Sequence, residues 1–214
     1  MRFPLSAELL RRLPRHPDWR YERIDGEVWL SPRPRPLHLR RLTALPVPQT
    51  RVNAEVRELD VPSDRAAVAA LLLDTWSDEN PYRSLESPAE VLGPEVDRDL
   101  DTAELGVVAV AVDSGAICAV ALVHGQRSGT PMLTWLTVTR DARERGLATG
   151  LLRLITTTLR ARGISELAST TSAANTPSLR WHLSRGFHLV EDPMREAVRA
   201  TSAAPRERDG VKLG

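Results

Sequence analysis

Arg143-Glu144-Arg145-Gly146-Leu147-Ala148 joins a strand-like run, Met132-Leu133-Thr134-Trp135-Leu136-Thr137-Val138, directly to a stretch of helical periodicity from Leu147 to Arg162. A strand that turns at once into a helix exposes backbone N–H groups with no intrahelical acceptor, at the positive end of the helix dipole. The junction is therefore a cradle for a phosphate or pyrophosphate. Gly146 lacks a Cβ, so it tolerates unusual φ/ψ and lets a ligand approach the main chain, and Ala148 keeps the next position small.

On either side of this junction the hydrophobic period alternates between two and 3.6. Upstream, Val52–Leu59 reads as a strand, Asp60 or Ser63 can cap a helix running through Trp76, and a second helix lies within Ser87–Leu100. Gly106–Val112 and Ala116–His124, separated by Asp113-Ser114-Gly115, form a hairpin. Downstream, Gly163 is suited to a left-handed C-cap, Ile164–Thr170 reads as a strand, Thr176–Arg185 as a short helix, and Phe187–Val190 begins a last strand. The expected fold is mixed α/β: a central, mostly antiparallel sheet flanked by helices.

A second motif follows about thirty residues after the first, at Asn175-Thr176-Pro177-Ser178-Leu179-Arg180-Trp181-His182-Leu183-Ser184-Arg185-Gly186-Phe187. Asn175 is a natural helix N-cap, Pro177 suits the first turn and Gly186 the C-cap. Together, Arg143-x-x-Gly146-x-Ala148 after a strand ending in Leu-x-Val and this Asn…Gly-Phe segment resemble the GNAT superfamily of N-acetyltransferases over about residues 52–200. The resemblance implies acetyl-CoA as co-substrate and no metal. It implies that Leu136, Thr137 and Val138 flank the pantetheine arm, that Arg143, Glu144, Arg145, Gly146, Leu147, Ala148 and Thr149 hold pyrophosphate through their amides, and that Asn175 steadies the thioester.

Catalysis is where the chain departs from the family. Many members carry a tyrosine four residues before the Gly of Gly-Phe, able to protonate the leaving thiolate; here that residue is His182. An imidazolium could serve, because its ordinary pKa near 6.5 lies below that of a thiol. Family members often carry a glutamate on the strand before the cradle, where this chain has Thr134. His124, Asp78 and Glu79 are the substitutes available as a base, and positioning of amine against thioester contributes without one.

Charge is segregated along the chain of 214 residues, although its net value is only +1. Residues 74–104 carry ten acids against two bases, and residues 140–162 six arginines against Asp141 and Glu144. The family's acceptor pocket is lined by the segment between the first two helices, which here is Trp76-Ser77-Asp78-Glu79-Asn80-Pro81-Tyr82-Arg83. Asp78 and Glu79 thus point to a cationic amine acceptor.

The first fifty residues read as a separate unit. Ser6–Leu13 is a short amphipathic helix, Trp19–Leu30 a hairpin turning at Asp25-Gly26, and residues 31–51, with five prolines, five arginines and no acid, a semi-rigid linker. The expected domains are a helix-hairpin extension (1–30), this linker (31–51), the N-acetyltransferase domain (52–200) and a disordered tail (201–214). The basic linker could instead touch RNA, a membrane surface or the adenosine phosphate of CoA, but it lacks interleaved aromatics for base stacking. No apolar run reaches bilayer length and the start lacks a signal-peptide core, so a cytoplasmic location is expected, with no membrane partner. Cys118, the one cysteine, lies in an apolar strand and reads as buried and inert. Three readings stand: an N-acyltransferase, alone or as a homodimer; a catalytically silent acyl-CoA-binding module; and an acetyltransferase of aminoacyl-RNA.

Overall fold

The computed structural model describes residues 2–3, 19–24, 27–32, 36–50, 52–77, 88–126, 129–173 and 175–190. In chain order the elements are β1 (Arg2–Phe3), β2 (Trp19–Ile24), β3 (Glu27–Pro32), β4 (Pro36–Leu42), β5 (Ala54–Glu58), α1 (Val61–Ser77), α2 (Pro88–Thr102), β6 (Leu105–Ala111), β7 (Ile117–His124), β8 (Met132–Val138), a 3-10 turn (Arg140–Ala142), α3 (Leu147–Ala161), β9 (Glu166–Ser172), α4 (Thr176–Ser184) and β10 (His188–Val190). Strands β1, β3 and β2 form a small sheet; the others form a seven-stranded sheet in the order β10-β4-β9-β8-β7-β6-β5. All neighbours in the large sheet are antiparallel except β8 and β9. The expected Ser6–Leu13 helix, the Asp25-Gly26 turn and the tail after 200 lie outside the described residues.

Period-two alternation divides the core between two faces. Val107, Ala109, Ala119, Ala121 and Val123 pack with Leu147, Leu151, Leu152, Ile155 and Leu159 of α3. Val108, Val120 and Leu122 face the other way, against Val68, Leu71 and Leu72 of α1 and Val96 and Leu100 of α2. With helices on both faces, β6 and β7 must be apolar on both, and they therefore read as unbroken apolar runs. Arg57 grips Asp64 with two hydrogen bonds, 2.7 and 2.9 Å, fixing the start of α1 against β5.

The linker expected over residues 31–51 is corrected by the sheet itself. Pro36–Leu42 forms β4, inserted between β9 and β10 and paired with β9 from Pro36↔Ser172 to Leu42↔Glu166. The prolines flank this strand rather than interrupt it, since Pro32 and Pro34 precede it, Pro36 is its first residue, and Pro46 and Pro48 follow it. Leu39 takes a core position, and two residues on, on the same face, stands Arg41, fully buried. Its guanidinium donates to four carbonyls: Arg185 O, Leu42 O and Leu45 O at 2.7 Å each, and Pro46 O at 3.2 Å. Burial holds its pKa below the ordinary arginine value. Arg40 meets Glu166 at 3.5 Å. Two of the arginines expected to form a basic strip are thus engaged within the sheet.

Candidate active site

Two cavities share strand β8. The ladder between β8 and β9 is only two residues long, Met132↔Ala168 and Leu133↔Ser169, after which the strands part. The β7–β8 register shifts at Leu122/Val123, which pair with Trp135 and Leu133 and leave Thr134 as the extra residue of a bulge. Thr139 N–H donates to Cys118 O at 2.9 Å. By strand alternation, Leu136 and Val138 then turn their backbone groups to the opposite edge, which β9 no longer covers.

The first cavity, about 490 Å³, fills this opening. Its walls include Leu133–Thr137 of β8, Ser169–Ser172 of β9, Asn175, Ser178 and His182 at α4, and Glu95 and Asp99 of α2. Asn175, a wall residue, caps α4: its Oδ1 accepts from Ser178 N–H at 3.1 Å, and its side-chain N–H groups have no partner among the described residues. His182, only 4% exposed, has Nδ1 at 2.8 Å from Ser178 O and Nε2 at 2.9 Å from Ser169 Oγ. Edge-on rings of Trp181 and Phe187, with centroids 5.0 and 4.9 Å away, complete its surroundings. Desolvation, opposed by the hydrogen bond to Ser178 O, holds its pKa below the ordinary imidazole value. The neutral ring is therefore the form favoured at pH 7, which alters the imidazolium expectation for this residue.

The second cavity, about 520 Å³, is lined by Thr50, Val138, Ala142, Arg143 to Thr149, Trp181 and Arg185. Glu144 (φ 63°) and Gly146 (φ 80°) are both left-handed, a conformation that lets consecutive N–H groups converge. Gly146 O accepts from Thr149 and Gly150, so the N–H groups of Leu147 and Ala148 precede the first helical hydrogen bond. A Cβ at Gly146 would lie 2.9 Å from that of Thr50, in the segment after β4. Arg185 Nε donates to Thr149 Oγ1 at 3.0 Å, and Arg41 holds the Arg185 carbonyl from behind. Strand β4 and the segment after it thereby prop both the cradle and the end of α4.

The Acetyltransferase (GNAT) family model matches residues 67–187, more than half of the chain. This chain belongs to the GNAT acetyltransferase family. Solved structures share its fold: a GCN5-related N-acetyltransferase from Sphaerobacter thermophilus is 20% identical with a TM-score of 0.55 over 74% of this chain and 50% of that one. The aminoglycoside N-acetyltransferase AAC(6')-Iy, solved with CoA, is 21% identical with a TM-score of 0.52 over 68% and 94%. The same enzyme in complex with the bisubstrate analogue CoA-S-monomethyl-acetylneamine gives 20% and 0.51 over 65% and 93%. The GNAT chain described here spans half the length of the Sphaerobacter protein. No curated protein matches its sequence.

Against this GNAT frame, the sequence-derived residues fall into two groups. Val138 and Arg143–Thr149 line the second cavity; Leu136, Thr137, Asn175 and His182 line the first. Asp78 and Glu79 lie outside the described residues. His124 is not among the lining residues, and both its nitrogens are engaged, Nε2 with Asp99 O at 2.9 Å and Nδ1 with Thr134 Oγ1 at 2.7 Å. Sequence reasoning missed Glu95 and Asp99 as wall residues. Their four-residue spacing puts them on one helix face, while Asp97 and Asp101, also four apart, bind Arg65 of α1 on another. It also missed Ser169, the first of four consecutive hydroxyl residues on β9.

Proposed function

We propose that the chain transfers an acetyl group from acetyl-CoA to the primary amine of a cationic acceptor, a small molecule, peptide or protein. The observation that carries this reading is the pair of cavities along β8, one cationic and rich in unpaired amides, the other walled by hydroxyls, an imidazole and two acids. Pyrophosphate fits the amides from Arg143 to Ala148 with Arg185 alongside, while the N–H of Thr149, expected to join them, is given to Gly146 O. Pantetheine fits the open edge at Leu136 and Val138, and Asn175 has N–H groups to spare for the thioester arm.

Across the first cavity, Asp99 Oδ2 accepts from Trp135 Nε1 at 2.6 Å, while Oδ1 has no partner among the described residues. Oδ1 and Glu95 are suited to receive an ammonium group, and Asp99 supersedes His124 as a group that can meet the acceptor. Bringing amine and thioester together in one site supplies much of the acceleration in such a transfer.

The test is thiol release from acetyl-CoA across a panel of diamines, amino sugars and peptides, set beside calorimetric binding of acetyl-CoA. Turnover is expected with dicationic acceptors above neutral ones. Tight binding with no turnover on any amine would identify a silent acyl-CoA-binding module instead.

A further inference from the structure

We infer that Ser169 and His182 form a two-way proton shuttle, in which Ser169 is the group that meets the reacting atoms and His182 is the reservoir behind it. This inference rests on the N-acyltransferase reading above.

The tautomer follows from hydrogen bonding. A carbonyl oxygen can only accept, so His182 Nδ1, 2.8 Å from Ser178 O, carries the hydrogen of the neutral ring; the Ser178 hydroxyl, which could donate to a bare Nδ1, stands farther off at 3.4 Å. Nε2 is then a bare lone pair, and the group 2.9 Å away that can donate to it is the Ser169 hydroxyl. The same Oγ lies 3.3 Å from Leu133 O, a second acceptor that can take the hydroxyl proton once Nε2 is itself protonated. Each protonation state of His182 thus has a satisfied arrangement with little movement. Both residues are buried and both line the first cavity, beside the parting of β8 and β9.

This arrangement begins the cycle as a base. As the amine nitrogen bonds to the acetyl carbon it becomes positively charged and strongly acidic, so even a weakly basic imidazole suffices. Ser169 Oγ takes the nitrogen's proton while passing its own to Nε2, leaving an imidazolium with Nδ1–H still on Ser178 O. When the carbon–sulfur bond breaks, the thiolate takes a proton from Ser169, which recovers one from Nε2. The proton shed by nitrogen ends on sulfur, and the dyad returns to its starting state. The cycle starts from the neutral amine; the proton that makes the acceptor an ammonium is released to solvent before attack, and from that point the dyad needs no further acid or base.

The experiment has a spectroscopic arm and a kinetic arm. In 15N-edited NMR of the free wild-type protein at pH 7, His182 is expected as the neutral Nδ1–H tautomer; an imidazolium or an Nε2–H tautomer overturns the shuttle. Ser169→Ala is expected to lower kcat at least tenfold with the amine KM and the calorimetric Kd for acetyl-CoA unchanged, and Ser169→Thr to restore most of it. His182→Gln should lower kcat similarly, and the S169A/H182Q pair no further than either alone, as for groups acting as a unit. Wild-type turnover that S169A retains overturns the shuttle and leaves the N-acyltransferase reading standing. Wild-type protein that turns over no amine overturns both.

Discussion

In the proposed reaction the two cavities on β8 do opposite kinds of work with opposite kinds of atoms. The second is made by backbone: a left-handed glycine, a helix start and the amides they aim, with arginines around the rim. The first is made by side chains drawn from α1, α2, β8, β9 and α4, none of which is meaningful without the others. Holding an anion needs a conformation, which a few consecutive residues can specify. Moving a proton needs particular groups at particular distances, which only the assembled fold supplies.

Arg41 offers the strongest way to break this contrast, because it supports both cavities at once. Arg41→Met leaves four part-buried carbonyls without their donor and should destabilise the fold by about 3 kcal/mol in urea titrations. An unchanged midpoint would mean that the cost of burying a cation without a carboxylate cancels its hydrogen bonds.

Gly146→Val separates the cavities. With φ at 80° and Thr50 at 2.9 Å, a branched side chain distorts the cradle, and the Kd for acetyl-CoA should rise about 30-fold, roughly 2 kcal/mol, by calorimetry. The His182 tautomer seen by NMR should not change; a changed tautomer would mean that the two sites are mechanically one.

Asp99→Asn acts from the other side. It keeps the acceptor for Trp135 Nε1 and removes the charge, so KM for a diamine should rise about tenfold, roughly 1.4 kcal/mol, with acetyl-CoA affinity preserved. Equal losses for charged and neutral amines would break the assignment of this wall to cation recognition.

The smallest effect is a separation in pH. His182 has a folded pKa below its unfolded value, so the unfolded chain binds more protons between the two. Its contribution to stability is whole above about pH 6.5 and declines as pH falls from there to the folded pKa. Asp64 is also lowered, chiefly by its hydrogen bond to Arg57, but acts in a more acidic window: its contribution is whole above about pH 3.9 and is lost as pH falls through its folded value. In thermal melts from pH 8 to 3, His182→Gln should flatten only the upper slope and Asp64→Asn only the lower. A single slope affected by both variants would show that the groups are coupled.

The contrast between the cavities also accounts for what could be read in the sequence. The junction around Gly146 was legible because its function is local backbone geometry, and the β6–β7 hairpin because two-faced burial demands unbroken apolar runs. Residues 36–42 were not: flanking prolines and arginines outweighed the alternation of Leu37 and Leu39, and Arg41 stands where the period calls for an apolar residue. Ser169 was hidden in a polar run, Ser169-Thr170-Thr171-Ser172, which reads as solvated until α4 lies over it. The acidic block was visible as charge, but only helix phase separates the cavity pair, Glu95 and Asp99, from the structural pair, Asp97 and Asp101.

The position of β4 has a consequence for synthesis. Leu39 pairs with Ser169, a partner more than half the chain away, and among the described residues β10 is joined to the sheet through β4 alone. A ribosome delivers β4 early and its neighbours last, so the first strand of the large sheet to be made must wait while β5 through β8 emerge. Such long-range pairing is slow, and the edge it leaves uncovered invites pairing with another chain in the interval. The end of the helix that carries His182 gains its hold from Arg41 only after α4 itself has emerged, so on the proposed reading the site is completed late in folding.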